Sequence, residues 1–194
     1  MIKKKLSQKI TEATDQQLTL TTEEKDYAIQ HQLLSETANI VIIEKEQLFT
    51  NAIIERFDKE TEELISKDSY SFLQTPLVHF KEKLNEFLYL ESPSFDVIGV
   101  DAIAVEYDEV FEVYTAMFGL AVQKKFGPAM KDYLDEHFHA ENMNYSVMFA
   151  GNDGLWEVNL PLNYIDQFNE NFTIEEAYVF LYSFIFSLVS TIEN

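Results

Sequence analysis

The sequence predicts an α+β domain in which several helices pack on a small, mostly antiparallel sheet. Two observations carry this. Residues 145–150 and 155–162 form two strand-like runs joined by Gly151-Asn152-Asp153-Gly154, a hairpin signature. Immediately after them, Thr173-Ile174-Glu175-Glu176 opens a very apolar helix that runs to Ile192 and closes the fold. In the second strand Trp156, Val158, Leu160 and Leu162 fall on one face at a period of two, and Pro161 marks a strand end or an edge.

The remaining elements are read in chain order. Residues 1–20 are polar and lack sustained periodicity, which predicts a loose arm ahead of a single domain spanning 21–194. Thr21-Thr22-Glu23-Glu24 is a capping box that starts a helix to about Ser35. The β-branched run Ile40-Val41-Ile42-Ile43 suits a short strand, with helix as the alternative. From Lys45 to Lys67, Phe49, Ile53 and Phe57 recur every four positions among charged residues, the pattern of an amphipathic surface helix. Thr75-Pro76 predicts a further helix ending near Leu90, and Glu91-Ser92-Pro93-Ser94 a loop that is the best internal boundary. Phe95 to Val105 reads as strand, again with helix as the alternative. Tyr107 to Phe126 carries apolar residues at helical spacing, Gly127-Pro128 stops that helix, and another follows at residues 129–138.

Composition narrows the function. The chain has 194 residues, no cysteine and a net charge of −20. Without thiols there are no disulfides, thiolate metal sites or cysteine nucleophiles, and a reducing cytoplasm is the natural compartment. The basic start Met1 to Leu6 is followed by polar residues rather than an apolar stretch, so an export signal is not expected. The uncharged stretch 177–192 holds sixteen residues, too short for a hydrocarbon core about 30 Å thick, which predicts a core helix and no membrane contact. Arg56 is the only arginine, so nucleic-acid partners are not expected. The negative charge grows along the chain: residues 132–194 hold 11 acidic residues and no Lys or Arg. No nucleotide-binding or nucleophile motif occurs, and no catalytic residue or organic cofactor is assigned.

Three readings of function follow. The leading one is a non-enzymatic protein-binding module, inhibitor-like or immunity-like, whose acidic surface at Asp153, Glu157, Asp166 and Glu170 meets a basic protein partner. The second is a divalent-metal-binding protein or metal-assisted enzyme using Asp132, Glu136, His137 and His139. On a continuous helix Asp132, Glu136 and His139 would share a face, and Glu136 with His139 matches the carboxylate-x-x-histidine unit. That unit occurs once, whereas di-iron bundles need it twice. The third is a homo-oligomer associating through the last helix, because a helix apolar nearly all round must be covered on several sides.

Overall fold

The computed structural model describes residues 1–13, 17–34, 39–141 and 144–193, and only the backbone of Glu46. Its elements in order are α1 (Ile2–Glu12), β1 (Leu18–Leu20), α2 (Thr22–Gln30), β2 (Ile40–Ile42), β3 (Ile53–Asp58), β4 (Leu64–Asp68), α3 (His79–Glu82), β5 (Glu86–Glu91), α4 (Phe95–Ile98), β6 (Val100–Asp108), β7 (Val113–Leu120), α5 (Gly127–His137), β8 (Ser146–Ala150), β9 (Leu155–Pro161) and α6 (Ile174–Ile192). The expected α+β class is what is found. The main sheet has seven antiparallel strands in the order β4-β3-β5-β6-β7-β9-β8, so β4 and β8 are its edges. β1 and β2 pair separately and in parallel.

Period-two side chains build the core. Ile54, Leu88, Leu90, Ile103, Val105, Ala116, Phe118, Leu120, Val158 and Leu160 are buried on one face of the sheet, and α6 lies across them. Tyr178 of α6 donates its hydroxyl to the backbone oxygens of Ile103 at 3.1 Å and Leu88 at 3.3 Å, which pins the helix over β5 and β6. Phe49 packs edge-on against both Tyr178 and Phe95, joining a 3-10 turn at Lys45–Phe49 and α4 to the same layer. The Thr173 capping box starts α6 as expected. The apolar side chains of α6 are buried or, at Val179, Phe180 and Phe184, half-buried within this chain. In length and composition the helix would also serve as a membrane span, but its tyrosines Tyr178 and Tyr182 are fully buried against the rest of the protein.

Several expectations are corrected. The N-terminal segment is not a loose arm: α1 buries Ile2 and Leu6, and Glu193 accepts from the backbone amide of Ile2 at 3.0 Å and from the Met1 ammonium. A carboxylate there suits the positive end of a helix that has no side-chain cap of its own. The helix expected over 45–67 is the 3-10 turn followed by the β3–β4 hairpin. Asp58 turns that hairpin by accepting from the amides of Glu60 at 3.0 Å and Thr61 at 2.9 Å. The helix expected from Thr75 to Leu90 shrinks to α3 and gives way to β5, in which Leu88 and Leu90 alternate with the half-buried Phe87 and Tyr89. The helix expected over 107–126 is the end of β6, a turn, and β7. Val110, one of the apolar residues that follow helical spacing, lies exposed in the turn. Residues 95–105 divide into α4 and β6 at Gly99, whose φ of +69° ends α4 in a left-handed residue. The loop at 91–94 is tied in, with Ser92 and Ser94 both donating to the Leu48 backbone oxygen at 2.9 Å.

The capping box at Thr21 starts α2, and the short strand expected over 39–44 is β2; α2 ends at Gln30, and Ser35, where that helix was expected to stop, lies outside the described residues. α5 forms at the expected place for a reason beyond its Gly-Pro start. A side-chain carbon at Gly127 would lie 2.4 Å from the Trp156 ring, so glycine is what lets α5 close on the hairpin.

Three tyrosines, Tyr114, Tyr178 and Tyr182, are fully buried. Burial pushes each hydroxyl pKa above the ordinary value of 10.0, helped at Tyr182 by the charge of Glu24 and at Tyr114 by that of Glu170. Folded chains therefore keep these protons where unfolded chains release them. Their contribution to stability is full below about pH 10 and is lost as pH rises beyond it. The expected result is a melting temperature that falls steeply above pH 10, with the last three of the chain's ten tyrosines ionising only together with the loss of circular dichroism. Phenolate absorbance that reaches all ten tyrosines before unfolding would contradict it.

Candidate functional site

Among the described residues no helix forms a layer over the face of the main sheet opposite α6. Its side chains form rows across the strands, set by the register. One row runs Lys67, Glu55, Tyr89, Ala104, Met117, Asn159, Ser146 from β4 to β8; the next runs Phe57, Phe87, Glu106, Thr115, Pro161. Phe57 stacks on Phe87 at 5.3 Å between centroids and meets Tyr89 edge-on at 6.3 Å. Phe57, Phe87, Tyr89, Ala104 and Met117 are half-buried, and Met148 on the edge strand is exposed. The centre of this face is thus an aromatic and aliphatic strip.

Carboxylates surround the strip. The Tyr89 hydroxyl is held above its usual pKa by partial burial first, and then by the charges of Glu91, Asp101 and Glu55. Glu55 pairs with Lys67 at 2.8 Å, and Glu106 meets Lys59 at 3.6 Å. Among the described residues Glu91, Asp101 and Glu157 have no hydrogen-bond or ion-pair partner. Beside the β6–β7 turn the face dips into a hollow of about 440 Å³ floored by Thr115, Met117 and Asn159, with Glu106, Asp108 and Phe111 on its rim.

A second concavity, about 660 Å³, lies on the other side of the molecule, where the outward face of α6 meets α5, the start of α2 and the segment 165–172. Tyr133, Phe172, Phe180 and Phe184 line it and are all half-buried. Phe180 stacks on Phe184 at 6.2 Å, and Tyr133 meets Phe184 edge-on at 5.8 Å. Glu23, Asp166 and Glu176 stand on its walls. Its one lysine, Lys45, is held by Glu23 at 2.5 Å and by the Ser183 hydroxyl at 2.9 Å.

The residues expected as metal ligands are not brought together. α5 ends at His137, and Phe138 is extended with φ −113° and ψ 116°, so the helical spacing from Glu136 to His139 is broken. The backbone amide of His139 bonds instead to the Tyr164 carbonyl at 2.8 Å, and its ring reaches Asp166 at 3.2 Å. His137 stacks on Tyr133 at 4.1 Å, with Nδ1 2.8 Å from the Tyr133 carbonyl oxygen. Asp132 and Glu136 point to solvent. Among the described residues no three His, Asp or Glu side chains converge as a metal would require.

The four residues expected to meet a partner fall on two surfaces. Glu157 lies on the open sheet face and Asp153 in the hairpin turn beside it, both exposed. Asp166 borders the groove. Glu170 is occupied by Lys81 and by Asn163, which donates at 2.8 Å. Sequence reasoning missed Glu55, Tyr89, Glu91, Asp101 and Glu106. A usable signal was present in Glu86-Phe87-Leu88-Tyr89-Leu90-Glu91, where Leu88 and Leu90 alternate with the two aromatics.

Comparison with protein-family models, with curated proteins and with solved structures finds no match to this chain.

Proposed function

We propose that this protein works by binding another protein, and that the open face of its main sheet receives a partner with basic residues around an apolar centre. The observation that carries this reading is the ring of unpaired carboxylates, Glu91, Asp101 and Glu157, around the half-buried strip of Phe57, Phe87, Tyr89 and Met117. Protein interfaces combine these two parts: an aromatic centre supplies most of the binding energy, and rim charges steer and select the partner. A net charge of −20 speeds encounter with a positively charged protein. An inhibitor or immunity-type protein would use the face in this way, by covering a basic active surface.

The test is co-purification from cells that express the protein naturally, followed by affinity measurement with the recovered partner at low and high salt. A basic partner is expected whose affinity falls by at least about a hundredfold when Glu91→Lys, Asp101→Lys and Glu157→Lys are combined, since close interfacial charge pairs are each worth about 1.5 kcal/mol or more. The reading is wrong if no protein is retained, or if a retained partner binds the triple variant as well as the parent.

A further inference from the structure

The two edges of the main sheet are not alike. β4 carries Lys67, whose side chain is 73% exposed, and Asp68. β8 has neither charge nor proline, and among the described residues the backbone groups that point away from β9 have no partner. Unpaired amides and carbonyls in a row are a template for another extended chain. A hollow lies on each side of this edge, and both reach Asn144 and Ser146. One is the hollow of the open face. The other, also about 440 Å³, lies between α5 and the start of β8, with Lys131, Asp135, Tyr145 and Val147 around it. Side chains of an added strand would alternate between these two sides, so both sets have room. The sides differ in chemistry. On the open face Glu157 lies beside Met148 and Asp108 rims the hollow, and among the described residues no cationic side chain pairs with either carboxylate. On the α5 side the half-buried Val147 and Phe149 present apolar surface, and Asp135 is occupied by the Tyr145 hydroxyl.

We propose that β8 accepts an extended segment of the basic partner as an eighth strand, with basic side chains turned to the open face and apolar ones, at alternate positions, turned to α5. This assignment rests on the protein-binding reading and names the part of the partner that is held. Backbone pairing supplies affinity, and the two differently lined sides supply selection. Glu157 stands two strand spacings, about 10 Å, from the added strand, within the combined reach of a lysine and a glutamate side chain. A second copy of this chain is the poorer occupant: its β8 brings no basic residue to Asp108 or Glu157, and each molecule carries twenty excess negative charges.

The probe is a capped nine-residue peptide of alternating lysine and valine, titrated into the full chain in about 150 mM salt, where the screening length is about 8 Å. Saturable one-to-one binding is expected, with slowed amide hydrogen exchange over residues 146–150 and no change over residues 64–68 of β4. Only alternate amides of an added strand face β8. Of two forms of the peptide, one N-methylated at every valine and one at every lysine, one should therefore bind about tenfold more weakly or worse and the other within about threefold of the parent. A peptide of the same residues with the lysines grouped at one end should also lose about tenfold, since its side chains no longer sort to the two sides. Charge is the same in all four peptides. Equal binding by all of them, or binding that leaves 146–150 unprotected, would overturn the proposal in favour of diffuse attraction or docking on the sheet face alone. So would the absence of saturable binding by the alternating peptide. A dimer in light scattering whose 146–150 amides are already protected in the free chain would overturn it as well, by making a second copy the occupant. The wider reading is decided separately by the recovered partner and the sheet-face triple variant: a partner that loses affinity there while the peptide fails removes strand addition alone.

Discussion

Replacing Glu24 by alanine is expected to destabilise the protein by about 3 kcal/mol, one of the two largest single-residue effects argued for this fold. Glu24 is fully buried and is the acceptor for three groups drawn from three elements. Its carboxylate takes the Thr21 amide at 2.9 Å, the Lys9 ammonium at 3.0 Å and the Tyr182 hydroxyl at 2.8 Å. It therefore closes the capping box of α2 and at the same time bolts α1 and α6 to that helix. Alanine leaves a buried amide and a buried hydroxyl without partners, each costing about 1–3 kcal/mol. Lys9 adds less, because its side chain is 31% exposed and the ammonium can be hydrated. Adding Tyr182→Phe to Glu24→Leu removes both the acceptor and its strongest buried donor, so the double variant should lose about 1 kcal/mol less than the sum of the single changes. Urea unfolding followed by circular dichroism measures all three. Strict additivity would mean that the two side chains do not act as a pair.

The second large effect is expected at Arg56, which stands on the core side of β3. Its Nε lies 2.7 Å from Asp68 and its Nη1 2.8 Å from Glu86, and the guanidinium sits 4.7 Å from the centre of the Phe72 ring. Glu86 is further tied to His79 at 3.2 Å. The three charged side chains are between 10% and 17% exposed, so these are partly desolvated charges rather than surface pairs. Arg56→Met leaves two carboxylates facing each other and should cost about 3 kcal/mol in urea unfolding. Arg56→Lys should recover less than half of that, since one ammonium cannot reproduce a planar fork that reaches two carboxylates and lies over a ring. Full recovery by lysine would reduce the site to simple charge balance.

The C-terminal part of the fold was legible in the sequence and its middle was not. The hairpin β8–β9, α5 and α6 declare themselves through a Gly-Asn-Asp-Gly turn, a Gly-Pro start and a Thr-x-x-Glu cap. From Lys45 to Leu90, and again from Tyr107 to Leu120, the sequence suggested helices where strands formed. β5 and β7 carry apolar side chains on both faces, as in Phe87-Leu88-Tyr89-Leu90 and Val113-Tyr114-Thr115-Ala116-Met117-Phe118. Strict alternation is then absent, and chance spacings of three and four residues read as a helix stripe. The cause of the misreading is physical and is the same one that makes the candidate surface: an open sheet face bearing Phe87, Tyr89 and Met117 erases the period-two signal. The metal cluster failed for a different reason. Its spacing assumed a helix that continues through His139, whereas tertiary pairing of His139 with Tyr164 ends α5 two residues earlier.

The seven-stranded sheet stops at β8, a strand of Ser146-Val147-Met148-Phe149-Ala150 with no charge, no proline and an exposed methionine. A border of this composition is the kind that recruits a further strand from another molecule, and natural sheets usually blunt it with lysine or proline. Here the safeguard is not written into the strand. Mutual repulsion of whole molecules carrying twenty excess negative charges would oppose such association instead. Under the proposed function, colloidal behaviour and binding would draw on the same carboxylates: acid or concentrated salt, by silencing them, would weaken recognition of a basic partner and expose the sheet's border to strand-by-strand association in the same step.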